Sequence, residues 1–108
     1  DLQSNYHSHS VSNDQTLETI KKFKNNYNYL ADPHTATGLY VLDQNKSEYP
    51  IVSLACAHPA KFGDAIEKAT GKKPIIPDQL KNVFDKEEKF TILNNNIEDI
   101  KKHILSYI

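Results

Sequence analysis

Apolar side chains recur every three or four residues in several parts of the chain, a spacing typical of helices that pack on one face. The pattern predicts a first helix over residues 17–27. A second helix is predicted over residues 33–42, because Asp32 can cap it and proline suits its first position. Three more helices are predicted, over residues 59–69 with Gly71 as the stop, around Leu80, Val83 and Phe84, and over 97–105 with Asn95 or Asn96 as cap.

Two short apolar runs predict strands. Residues 51–56, Ile-Val-Ser-Leu-Ala-Cys, show no strict alternation, which is typical of a strand buried on both faces of a parallel sheet. Residues 90–93 predict a second strand. Two strands do not complete a sheet, because their backbone groups need neighbours. We therefore expect an α/β fold, mostly helical with one or two parallel strands, in which residues 1–108 form a single segment of a larger protein without an internal boundary.

The composition also indicates that the chain is a segment of a larger protein. Apolar residues make up 38% of the chain, below the roughly 45–50% of ordinary soluble domains, so the core that it can bury alone is thin. The chain contains no methionine, even at its first position. We therefore expect it to be a processed or excised piece of a longer translation product.

The charge pattern excludes several classes of partner. The 13 basic residues are all lysine, and they nearly balance 14 acidic ones at a net charge of −1. This balance disfavours nucleic acids and anionic membranes as partners, and no apolar run approaches the length of a membrane span.

The sole cysteine excludes an internal disulfide and any multi-thiolate metal site. It favours a reducing compartment, and we expect the cytoplasm.

Several polar residues have simple structural explanations. His7 and His9 have a spacing that suits a metal, but no carboxylate or thiol is close in sequence and solvent exposure explains the pair. We therefore expect no metal. His103 lies near the end of the last predicted helix, where a partly charged imidazole suits the helix dipole. Capping explains Asp32, and His34 is expected to cover the same helix start.

The residues that follow the first predicted strand carry the candidate chemistry. In open α/β sheets, ligands bind beyond the carboxyl ends of strands, where Ala57 and His58 follow. Lys61 lies in the first turn of a helix begun by Pro59, where N–H groups and an ammonium together favour a phosphate or carboxylate. For Cys56, at the strand end, the ordinary explanation is packing of a small side chain.

Two phrases of the sequence resemble a known family. Residues 31–38 are Ala-Asp-Pro-His-Thr-Ala-Thr-Gly, and residues 57–62 are Ala-His-Pro-Ala-Lys-Phe. In this order and spacing, they look like the C-terminal region of threonine synthase, a pyridoxal-phosphate (PLP) enzyme of the tryptophan-synthase-β fold type. The resemblance covers residues 12–108. It implies that the chain is a C-terminal fragment of the large domain of such a fold type II enzyme.

The resemblance also implies a reaction and its residues. The family converts O-phospho-L-homoserine and water to L-threonine and phosphate. Cys56 stands where the family usually has threonine, and the resemblance implies that it contacts the pyridine nitrogen of PLP. His58 and Lys61 follow this contact, and we expect them to face the substrate phosphate. The Schiff-base lysine and phosphate-binding loop of the family match nothing here, so we expect no catalytic residue in this chain and no activity from it alone.

One alternative of a different class stays open. A truncated relative of the same fold would keep these helices for another purpose, as a non-catalytic binding or interaction module.

Overall fold

The computed structural model describes residues 6–83 and 85–108, so Phe84 of the predicted fourth helix lies outside the described residues. Contacts between Cα atoms divide the chain into unit 1, Asp1–Pro77, and unit 2, Asp78–Ile108. The helices, in chain order, are α1 Asn13–Tyr27, α2 Pro33–Gln44, a 3₁₀ helix Pro59–Phe62, α3 Gly63–Thr70, α4 Asp78–Lys81 and α5 Ile97–Leu105. None of them, within the described ranges, has the length and apolar character to cross a membrane.

The helix α1 begins four residues earlier than the apolar spacing alone predicts. Ser12 is its cap: the Ser12 hydroxyl accepts from the Gln15 N–H at 3.2 Å, and the Gln15 amide oxygen accepts from the Ser12 N–H at 2.9 Å. This reciprocal pair satisfies two of the backbone donors that a helix start leaves free. The helix ends at Tyr27 and is followed by the cap residue Asn28, whose φ of 53° is left-handed.

The core of unit 1 is formed by α1, α2 and α3. Its buried apolar residues are Ile20, Ala31, Ala36, Leu39, Ile66 and Ala69. Two polar contacts join α1 to α2 at the edge of this core. The Gln15 side-chain amide donates to the Tyr40 hydroxyl at 2.6 Å, and the Lys22 ammonium lies 2.5 Å from the Asp43 carboxylate.

The predicted helix over residues 59–69 is divided in two. Pro59–Phe62 forms a 3₁₀ turn, and Phe62 at φ −126° and ψ 50° interrupts the helical backbone before α3 begins at Gly63. The predicted stop is confirmed, since Gly71 adopts a left-handed φ of 74°, which costs glycine little. The α3 side of the core is therefore carried by only eight residues.

The prediction of one or two parallel strands is not confirmed in the described residues. Neither 51–56 nor 90–93 forms a strand, and the first run is not buried, since Val52 and Leu54 are 83% and 79% exposed. A strand exists only when a neighbour accepts and donates its backbone hydrogen bonds, and these runs have no such neighbour among the described residues. The helical part of the predicted architecture is confirmed.

In unit 2, α5 is capped by Asn96, one of the two predicted residues. Its side-chain oxygen accepts from the N–H groups of Glu98 at 2.8 Å and Asp99 at 3.3 Å. The apolar face of α5 is largely exposed, with Ile97, Ile104 and Leu105 all in contact with solvent. Within this unit, α5 is also contacted by the Asn94 amide, which donates to the Asp99 carboxylate at 3.4 Å.

Candidate functional site

Asp32 lies at the N-terminus of α2 and is almost fully buried, with 1% of its surface exposed. Its Oδ1 accepts hydrogen bonds from the backbone N–H of His34 at 2.9 Å and of Thr35 at 3.4 Å. These bonds are the predicted cap, because the first-turn N–H groups of a helix have no partner within it. The cap uses one carboxylate oxygen and leaves the other for different donors.

That second oxygen joins the two motifs of the sequence. Oδ2 of Asp32 accepts from the hydroxyl of Thr35 and, at 3.2 Å, from the backbone N–H of Ala57. The Thr35 hydroxyl oxygen in turn accepts from the backbone N–H of Cys56 at 2.9 Å. We call these contacts the Asp32–Thr35 link. It binds the N–H groups of two consecutive residues in a distant segment to the start of α2.

Two opposing effects set the pKa of Asp32. Burial raises the pKa, because it disfavours the charged carboxylate. The hydrogen bonds from the Thr35 hydroxyl and from the backbone N–H groups of Ala57, His34 and Thr35 lower it, and together they outweigh burial, so the pKa is lowered from its ordinary value of 3.8. The carboxylate is therefore charged at neutral pH and can only accept hydrogen bonds.

His34 makes a second connection between the same segments. Its Nδ1 lies 3.3 Å from Oδ1 of Asp32, and its ring packs on the ring of Phe62 with centroids 5.0 Å apart. The side chain is otherwise exposed. His34 therefore covers the helix start, as the sequence predicts, and also contacts the end of the second motif.

Cys56 presents an exposed, free thiol beside the link. Its Sγ lies 3.7 Å from the carbonyl oxygen of Leu54, and the residue lines an open groove of about 810 Å³ between α2 and residues 51–56. Gly38 of α2 lies close to this segment, since a Cβ there would be 2.9 Å from the Ser53 Oγ, a side-chain atom that can rotate away.

His58 and Lys61 have different settings. His58 caps the 3₁₀ helix: its Nδ1 accepts from the Ala60 N–H at 3.1 Å, which requires a lone pair on Nδ1 and leaves the Nε2–H of the neutral ring free to donate. With Ala57 it lines a second groove, of about 440 Å³. Lys61 lines neither groove, and its Nζ lies 5.8 Å from the centroid of the Phe62 ring. Of the two predicted substrate residues, only His58 opens on a groove.

The remaining candidates do not assemble into a centre. His7 and His9 line the same groove as Cys56, but the described part of the chain holds no cluster of three or more side chains that could bind a metal. In unit 2, His103 packs edge-on against Tyr107 with ring centroids 5.0 Å apart, near the end of α5 as the sequence predicts.

Sequence reasoning missed Thr35. Its hydroxyl is the centre of the link, because it donates to Asp32 and accepts from Cys56. A threonine in the first turn of an Asp-capped helix carries no signal of this role, because its partner lies 21 positions away. Only the resemblance, in which both phrases occur together, pointed to a relation between the two segments.

Comparison with known proteins gives one consistent family. A family model described as threonine synthase, C-terminal, matches residues 35–104. Threonine synthase of Pseudomonas aeruginosa is 37% identical over 98 residues, covering 88% of the chain, and that of Saccharomyces cerevisiae is 33% identical over 114 residues, covering 90%. The crystal structure of PLP-bound threonine synthase from Brucella melitensis matches 98% of the chain with a TM-score of 0.81 and 34% identity.

These matches cover only part of each relative. The chain spans 21% of the Pseudomonas protein, 22% of the yeast protein and 23% of the Brucella chain.

Proposed function

Since the chain belongs to the threonine synthase family, we propose that it is the C-terminal part of an enzyme that converts O-phospho-L-homoserine and water to L-threonine and phosphate. The observation that supports this most directly is the Asp32–Thr35 link, which joins the two segments through which the sequence resembles the family. In this proposal the chain supplies one wall of the site and is inactive alone. The lysine that holds the cofactor and the loop that holds its phosphate belong to the rest of the enzyme.

We assign to Cys56 the contact with the pyridine nitrogen of PLP. The exposed thiol fits this contact for two reasons. Hydrogen bonds hold the backbone N–H groups of Cys56 and Ala57, and Cys56 lines a groove. PLP, when bound, supplies the electron sink of the reaction. A thiol is a weak hydrogen-bond donor, so Cys56 leaves the ring nitrogen largely unprotonated, in contrast to an aspartate in its place.

We assign to His58 and Lys61 the binding of the substrate phosphate. The Nδ1 of His58 accepts from the Ala60 N–H, so Nε2–H is the ring donor left for a phosphate in the groove that His58 lines. Lys61 supplies a point charge from an exposed position one turn further along the 3₁₀ helix. His58 would donate a hydrogen bond to the phosphate at short range, and the Lys61 ammonium would attract it by its charge at longer range.

We further propose that the partner of this chain is the rest of the enzyme, in the cytoplasm, with neither a nucleic acid nor a membrane as partner. Residues 51–56 support this, because Val52 and Leu54 expose apolar side chains beside the groove and their run retains the composition of a buried strand. Strands of the rest of the enzyme would give these residues both hydrogen-bond partners and cover.

A chimaera tests the proposed function. We expect threonine synthase of Pseudomonas aeruginosa to keep activity on O-phospho-L-homoserine when this chain replaces the matching C-terminal segment, because the groove residues and the link would be retained. Phosphate release and threonine formation are measured, with the enzyme lacking its C-terminal segment and the isolated chain as inactive controls. A folded, PLP-loaded chimaera without activity would contradict the proposal and favour a non-catalytic relative.

The contact of Cys56 gives a second prediction. In the active chimaera, Cys56→Asp is expected to protonate the ring nitrogen, strengthen the electron sink and shift the products towards side elimination or transamination. The absorption spectrum of the bound cofactor and the product ratio measure the change. Cys56→Thr, which introduces the residue usual in the family, is the control and is expected to preserve both. An unchanged spectrum and product ratio in Cys56→Asp would count against the assigned contact.

A further inference from the structure

We propose that Asp32 and Thr35 are positioning residues for Cys56, which fix the backbone from which its thiol contacts the cofactor. The proposal rests on the proposed function, since it concerns the same contact, and it gives the link a role in cofactor binding beyond the capping of α2.

Two of the three hydrogen bonds of the link hold the backbone on the two sides of the Cys56 Cα. Residues 51–57 lie in no helix or strand, so secondary structure does not hold their N–H groups. The N–H of Cys56 is held by the Thr35 hydroxyl, and the next N–H, that of Ala57, is held by the Asp32 carboxylate. With the peptide groups on both sides fixed, the position of the Cys56 Cα is fixed, and the thiol keeps only the freedom of its own rotamers.

The chemistry of Asp32 exceeds what a helix cap requires. Serine, threonine and asparagine cap helices about as well as aspartate, without burying a charge. A carboxylate differs because its second oxygen accepts two donors at once, here the Thr35 hydroxyl and the Ala57 N–H. The lowered pKa of Asp32 keeps that oxygen charged and unprotonated. The buried charge of Asp32 is therefore explained by the hydrogen bonds that hold the segment containing Cys56 and Ala57.

Thr35 is the residue through which this role can be separated from stability. It is 3% exposed, and its hydroxyl is the acceptor of the Cys56 N–H. Thr35→Val keeps the shape of the side chain and removes only the hydroxyl, whereas Thr35→Ser keeps the hydroxyl. Thr19 is the matched control, because it is also buried, at 6% exposure, and its hydroxyl donates only within α1, to the Gln15 carbonyl oxygen at 2.7 Å.

A double-mutant cycle in the PLP-loaded chimaera tests the proposal. We expect Thr35→Val to weaken PLP binding about tenfold and to shift the absorption maximum of the bound cofactor when Cys56 is present. In the Cys56→Ala background, the same substitution is expected to change the affinity by less than about twofold, because the contact it positions is gone. Thr35→Ser and Thr19→Val are expected to keep both the affinity and the spectrum of the unaltered chimaera.

The outcomes separate this proposal from the proposed function. An equal loss of affinity with and without Cys56 would show that Thr35 acts on the fold and not through the thiol, and would overturn the positioning role alone. If Thr35→Val does not fold, Asp32→Asn replaces it in the cycle, since asparagine keeps the cap and presents an amide to the Ala57 N–H. Failure of the unaltered chimaera to make threonine would overturn the proposed function instead.

Discussion

Replacing Asp32 with alanine is expected to lower the free energy of unfolding of the chain by about 3 kcal/mol or more. The cap of α2 accounts for about 1 kcal/mol of this loss. The larger part comes from the buried Thr35 hydroxyl and the half-buried Ala57 N–H, which both lose their shared acceptor, since an unsatisfied buried donor costs about 1–3 kcal/mol. Urea unfolding followed by circular dichroism measures the change.

Asp14 offers a matched control, because it is an exposed aspartate in the first turn of α1. Asp14→Ala removes only its interaction with the helix dipole, so we expect a loss below about 1 kcal/mol. Asp32→Asn is expected to fall between the two, since it keeps the cap and breaks the link. Equal losses for Asp32→Ala and Asp14→Ala would contradict the assignment of the link as the main stabilising contact at this helix start.

The same carboxylate predicts an acid dependence. The pKa of Asp32 in the folded chain lies below the ordinary value of 3.8, so the unfolded chain binds its proton first as the pH falls. The stability from the charged carboxylate is therefore complete above about pH 4 and is lost as the pH falls through the folded pKa. Stability curves of the unaltered chain and of Asp32→Asn should converge over this range, and a constant difference down to the lowest pH would contradict this.

Ile66→Ala is expected to lower the free energy of unfolding by about 2–5 kcal/mol, the range for isoleucine in a packed core. Ile66 has no exposed surface, and it belongs to α3, which has only eight residues. A helix of this length is not stable alone, so α3 depends on packing against α1 and the 3₁₀ helix. The loss is measured by urea unfolding, and the helical signal of the variant before unfolding shows whether α3 is retained.

Ile75→Ala controls for the change of residue type, because Ile75 also lies in unit 1 and is 87% exposed. Its substitution is expected to change the free energy of unfolding by no more than about 0.5 kcal/mol. A loss for Ile66→Ala as small as that for Ile75→Ala would mean that α3 is not part of the cooperative core.

The helices could be predicted from the sequence because their signals are local. Asp32 followed by Pro33 marked the start of α2 at the correct residue, and Gly71 marked the end of α3. The break at Phe62 could not be predicted in the same way, since its ring packs on His34 of α2, a contact that the local sequence does not show. The apolar spacing continues through position 62, although the helical conformation of the backbone is interrupted there.

The strands and the link depend on partners far away in sequence or outside the chain. Residues 51–56 have the composition of a strand, but a ladder needs a second backbone that composition does not supply. The Asp32–Thr35 link joins residues 21 and 25 positions apart. The sequence could identify Asp32 as a cap and Cys56 as a candidate, but not that one holds the other in place.

Because of the link, the position of Cys56 does not depend on the length of the loop between α2 and Cys56. Both ends of the connection between α2 and Cys56 are held, one by the helix and the other by the link. Residues 45–50, between them, are exposed. Doubling the length of a flexible connection costs only about 0.6 kcal/mol in closure entropy. Insertions and deletions in this surface loop are therefore tolerable in evolution and in protein engineering without displacement of the thiol.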